Sequence, residues 1–168
     1  NHAVGGLNAE AVRQLVAFSG GRGKVVWLPT FDAEFWMTRA GDSGEFVAVM
    51  RDGAPDPALG EIFDLIAKHD LVLAMGHSSP EEVLALIPEA RRRGVEHILI
   101  THGLGQQPSR EQIAEMVRQG AIIELVWLAV YNGEFRLAEY TAAITEFGAS
   151  HFLLSSDLGQ QNNPLHPD

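Results

Sequence analysis

The sequence predicts an α/β protein built from parallel strand–helix units, and three observations point that way. Five short runs, at 24–30, 71–76, 97–101, 121–127 and 151–155, are almost continuously apolar. Strands covered on both faces read this way, whereas half-exposed strands alternate. Amphipathic stretches lie between the runs and carry helix start and stop signals. The last four strand ends, at Gly76, Thr101, Val126 and Ser155, are separated by 25, 25 and 29 residues. Strand, helix, strand at that spacing requires parallel strands joined by right-handed crossovers.

Taken in order, Asn8 caps a helix over 9–19, and the run at 24–30 is a buried strand ended by Pro29. A small hairpin follows over 45–53, with Asp52-Gly53 as its turn. The stretch 58–69 is a helix before the second run. Ser79-Pro80-Glu81-Glu82 opens a helix to Arg93, with Pro in its first turn and Gly94 as its stop. Ser109 with Gln112 makes a capping-box pattern before 110–119, which Gly120 ends. A last helix is expected over 134–147. Periodicity leaves two architectures open, a barrel and a doubly wound sheet.

The bulk properties narrow the function. With 168 residues, 46% apolar and 20% charged, the chain suits a single soluble domain over 1–168. A formal net charge of −10 argues against a nucleic-acid backbone as partner. There is no cysteine, so disulfides and thiolate metal sites are excluded and any metal must sit on His and carboxylates. No window reaches the ~18 uninterrupted apolar residues of a membrane helix, and the first residues lack a signal-peptide pattern. A cytoplasmic protein that does not bind membranes is the expectation.

His77 and His102 directly follow their strands, and Asp157 stands two residues after Ser155. A lone His there is more often a loop or capping residue than a ligand. Three polar groups at equivalent carboxyl ends are different, because in a barrel those ends converge on one mouth, the usual active-site location. Two imidazoles and a carboxylate suit zinc or a similar divalent ion.

The strings Gly76-His77, Thr101-His102 and Ser155-Ser156-Asp157 resemble the ends of the fifth, sixth and eighth strands of the amidohydrolase superfamily. More narrowly, Ala3-Val4-Gly5-Gly6-Leu7-Asn8, Val25-Val26-Trp27-Leu28-Pro29-Thr30 with Asp32, Gly76-His77-Ser78-Ser79-Pro80-Glu81-Glu82 and Ser156-Asp157-Leu158-Gly159-Gln160 resemble a little-characterised amidohydrolase-like family. The resemblance covers nearly the whole chain. It implies strands four to eight of a (β/α)8 barrel, with Asn1-His2 ending the third and the His-x-His pair of the first lying before Asn1. By that count the chain is the C-terminal two-thirds of a barrel of ~250 residues.

The resemblance also implies His77, His102 and Asp157 as metal ligands, for zinc or else manganese or iron, with Asp157 handling the proton of the attacking water. The reaction implied is metal-assisted hydrolysis of an amide, lactone, ester or phosphoester of a small molecule. The same superfamily includes decarboxylases and lyases, and a non-catalytic small-molecule binding domain is the reading from another class.

Asp32 is a further candidate ligand or else a solvated loop acid. His2 could line the pocket or cap a loop. Glu124, inside an apolar strand, suits a supporting role behind the ligands. His97 and His151 begin their strands, His69 ends a helix, and Arg91-Arg92-Arg93 is most simply a solvated run compensating a helix dipole. Trp27, Trp36 and Trp127 read as packing residues, although Phe35-Trp36 in a loop could cover a pocket. Self-association through an unpaired strand edge into a homo-oligomer is compatible with this architecture.

Overall fold

The computed structural model describes residues 1–160 and 163. The chain begins with a single turn, His2–Val4, and helix α1, Ala9–Ala17, whose first turn is closed by the Asn8 side chain accepting from the Glu10 amide at 2.9 Å. Strand β1, Val25–Trp27, follows, and then helix α2, Glu34–Ala40. A two-residue ladder pairs β2, Met50–Arg51, with β3, Ala54–Pro55, in antiparallel register. Asp52 and Gly53 join them with φ of 51° and 78°. Positive φ at both central residues is what a type I′ turn demands.

Helix α3, Ala58–Lys68, leads to β4, Val72–Ala74; α4, Pro80–Arg92, leads to β5, His97–Ile100. Helix α5, Arg110–Arg118, leads to β6, Ile122–Val126, which runs straight into the short α6, Trp127–Tyr131. Helix α7, Leu137–Phe147, and β7, Phe152–Ser155, complete the described elements. Both expected capping boxes form. Ser79 Oγ accepts from the Glu82 amide at 3.1 Å while Glu82 accepts from the Ser79 amide at 2.6 Å, and Ser109 and Gln112 repeat the exchange.

The five longer strands form one parallel sheet in the order β1-β4-β5-β6-β7. Among the described residues the order never reverses, so these five strands contain no switch point of the doubly wound kind. Right-handed crossovers then place the connecting helices on a single face. Leu73, Ile98, Ile100 and Ile123 point to that face and share one core with Phe63 and Ile66 of α3, Leu86 and Ile87 of α4 and Met116 of α5. Trp27, Glu124, Val126 and Ser155 lie on the other face. Within the described residues the sheet is open: β1 and β7 each have one partner strand.

Three departures from the sequence reading have physical reasons. The segment holding Phe35 and Trp36 is helix α2 rather than loop; its N-terminal residue, Ala33, has no side-chain acceptor, so no start signal exists. Trp127 belongs to α6 rather than to the strand before it, and the last helix begins at Leu137 rather than 134. Arg91 is not simply solvated. Its guanidinium donates to the carbonyls of Val95, Glu96, Gln119 and Gly120, tying the ends of α4 and α5 to the loops before their strands.

The Ser79 cap holds the turn next to His77. Ser79→Ala is expected to lower unfolding free energy by about 1 kcal/mol. In a urea titration this would show as a lower midpoint at unchanged slope.

Candidate functional site

Three strand ends build the site, and each is fixed by backbone hydrogen bonds to its neighbours. After β4 the chain turns at Gly76, φ 61°, whose amide donates to Thr101 Oγ1 at 3.1 Å. A Cβ on Gly76 would stand 2.2 Å from the Pro29 carbonyl oxygen, so only glycine fits. The His77 amide donates to that same carbonyl at 2.9 Å. His77 is thereby pressed inward, 5% exposed, between Phe31, Trp36 and His102, with ring centroids 5.6, 4.6 and 5.2 Å away.

After β5, His102 adopts φ 49°, in the left-handed region that costs a non-glycine residue roughly 1–3 kcal/mol. Glu124 on the neighbouring strand holds it there. Its carboxylate accepts from the His102 amide at 3.1 Å, and its main-chain carbonyl accepts from the Gly103 amide at 2.8 Å. After β7, Asp157 also has positive φ, 52°. Its Oδ1 accepts from Gln160 Nε2 at 2.9 Å, and its Oδ2 lies 3.5 Å from His102 Nε2. That separation brings the two groups within ion-pair range.

These groups line a cavity of about 570 Å³, together with Trp27, Thr30, Phe31, Trp36, Thr101, Val126 and Glu134. His77, His102, Glu124 and Asp157 are therefore brought together. Asp32 and His2 are not among the lining residues. Asp32 accepts from the His2 amide, and the His2 imidazole pairs with Glu45 on the surface. Sequence reasoning missed Phe31 and Glu134 and left Trp36 as a loop residue. These side chains arrive from a helix without a cap and from loops, and no local pattern marks them.

The electrostatics follow from burial. Desolvation, with a smaller contribution from the nearby His102, pushes the His77 pKa down to about 4, against a weaker opposing hydrogen bond to the Thr30 backbone. The imidazole is neutral at physiological pH, the form that binds metals. Its Nδ1 is buried without a hydrogen-bond partner, as is Ser155 Oγ. Buried polar atoms are normally paired, so orphans clustered at a cavity point to a ligand or water that completes them. Among the described residues, two imidazoles and three carboxylates line the cavity without any Lys or Arg, a donor set and a charge balance suited to a cation. Among the described residues, no group of three or more His, Asp or Glu side chains is placed to hold a metal ion. In donor type alone the lining residues suit a divalent ion.

Residues 1–124 match a protein family described as a family of unknown function, DUF6282. The chain belongs to that family. The matched stretch takes in His2, Asp32, His77, His102 and Glu124, whereas Asp157 lies beyond it. No curated protein and no solved structure matches the chain.

Because folded His77 resists protonation, acid favours the unfolded chain, where imidazole takes a proton near its ordinary pKa of 6.5. The stability it contributes is full above pH 6.5 and is lost as pH falls towards 4. The loss is on the order of 3 kcal/mol. Denaturant titrations at pH 7 and pH 4 should show a smaller acid loss, by about that amount, in His77→Asn than in the wild type.

Proposed function

We propose that this protein is a metal-dependent hydrolase acting on an amide, lactone, ester or phosphoester of a small molecule. The observation that carries the reading is the cavity at the carboxyl ends of the strands. Among the described residues it is lined by two imidazoles and three carboxylates without a balancing Lys or Arg, and holds a neutral His77 whose Nδ1 has no partner. The unreversed strand order supports a (β/α)-barrel architecture, in which such a mouth is the usual place of catalysis.

His77, His102 and Asp157 would hold the ion, which is zinc on donor chemistry, with manganese or iron as substitutes. When bound, such an ion supplies Lewis acidity, polarising the scissile group and making a nucleophile available from water near neutral pH. The chain's own residues do the rest. Asp157 accepts the proton of the attacking water at its carboxylate and returns it to the leaving group. Glu124 keeps the His102 backbone in its left-handed conformation and so fixes where that imidazole points. Trp36 and Phe31 wall the cavity beside His77, limiting the access of bulk water.

Asp157→Asn keeps an oxygen donor and removes the proton acceptor. Metal content should fall modestly and turnover by at least ~10²–10⁴-fold. His77→Ala and His102→Ala each delete a donor, so metal content and activity should fall together. Metal analysis beside a screen of lactones, amides, esters and phosphoesters measures both. Wild-type protein that takes up no metal, or Asp157→Asn with full turnover, overturns the hydrolase in favour of a binding domain.

A further inference from the structure

A small interior cavity of about 10 Å³ lies behind the site, between the turn after β4, the start of α4, the loop after β5, and α5. Ser78 lines it and not the large cavity, whereas for His77 the reverse holds. Two consecutive residues of one turn thus face opposite ways. Thr101 lines both cavities and stands between them.

Three polar side chains meet at the small cavity. Ser78 is 1% exposed, and its Oγ has no hydrogen-bond partner among the described residues. Gln106 is 5% exposed, and neither its Nε2 nor its Oε1 has such a partner. Gln106 also borders a wider cavity of about 300 Å³, but its amide atoms are out of reach of solvent. They therefore turn away from that opening, towards the interior cavity that Gln106 shares with Ser78. Thr101 Oγ1 accepts from the Gly76 amide at 3.1 Å, and its own proton is not engaged in that bond. The remaining described side chains of the wall, among them Val83, Ile100 and Met116, carry no nitrogen or oxygen.

Buried amides and hydroxyls are nearly always paired, because an unmade bond there leaves the full cost of desolvation uncompensated. Ser78 and Gln106 are not bonded to each other, so whatever satisfies them occupies the space they share. No carboxylate among the described residues lines that space, which disfavours a cation. Its volume of about 10 Å³ suits one water molecule, which needs ~10–15 Å³ and a few polar partners, and excludes an organic ligand.

We propose that Ser78, Thr101 and Gln106 bind one water molecule, which ties the turn bearing His77 to the loop bearing His102. Ser78 follows His77 directly, and Gln106 lies in the loop that His102 opens. The bridge therefore braces the supports of both imidazoles from behind. It needs neither metal nor hydrolysis and stands or falls apart from the proposed reaction.

A crystal structure of the protein that shows ordered solvent should place one water within hydrogen-bonding distance of Ser78 Oγ and the Gln106 amide. A dry cavity, with Ser78 and Gln106 bonded directly to each other, overturns the proposal. In solution, oxygen-17 relaxation dispersion counts the waters held longer than the protein takes to tumble. Gln106→Met keeps the size of the side chain and removes both polar atoms, so it should lower that count by one. It should also speed amide hydrogen exchange at Gly103 and Gly105 at least ~10-fold while leaving distant Gly148 unchanged. An unchanged water count, or unchanged exchange in the loop, overturns the bridge. The crystal result needs no variant and decides the matter even where Gln106→Met fails to fold.

Discussion

The contact between Gly76 and the backbone of Leu28-Pro29 sets the position of almost everything else at the site. At that point β4 leaves the sheet so close to the end of β1 that no side chain fits between them. The close approach lets the His77 amide reach the Pro29 carbonyl while the Gly76 amide reaches Thr101. Three strand ends are thereby joined by two hydrogen bonds from consecutive amides, those of Gly76 and His77. The burial of His77, its neutral charge state, its contacts with Trp36 and Phe31, and its distance from His102 all follow from that approach.

A comparable economy holds His102. The cost of its left-handed backbone is offset by Glu124, which uses its side chain on one amide and its main chain on the next. An acid inside an apolar strand is otherwise hard to justify, because a buried carboxylate needs partners. Here the partner is the backbone of the adjacent strand end. The acid therefore supports the site from behind while contributing negative charge to the cavity wall.

The elements were legible where the signal is local. Ser79 with Glu82, and Ser109 with Gln112, mark helix starts by chemistry confined to four residues, and Asp52-Gly53 marks a turn by the φ values it must adopt. The runs at 71–76 and 97–101 are apolar because the core requires it. The positions of His77, His102 and Asp157 followed from strand ends alone. Helix α2 was not legible, since Ala33 offers no cap and the helix is held by its burial of Met37 and its place beside the cavity. Asp32 looked like a site residue for the same reason as His77, by following a strand end, and His2 because the family resemblance places it at the end of a strand. Whether such a residue turns inward depends on neighbours distant in sequence, and in their case Glu45 and the His2 amide captured them instead. The role of Arg91 was hidden likewise, because its acceptors belong to two different loops.

The strand order has a consequence for how the chain is made. In the main sheet each strand pairs with the next one in sequence, with only the small β2–β3 hairpin interposed. A chain emerging amino terminus first can therefore lay each strand against an edge that has already formed, without waiting for a distant segment. Parallel pairing is slow because each crossover loop must close before its contacts form, and sequential order keeps every such loop as short as the architecture allows. The polar residues of the site sit at the trailing end of each strand. On such a route they would be assembled one unit at a time, with Asp157 the last to arrive.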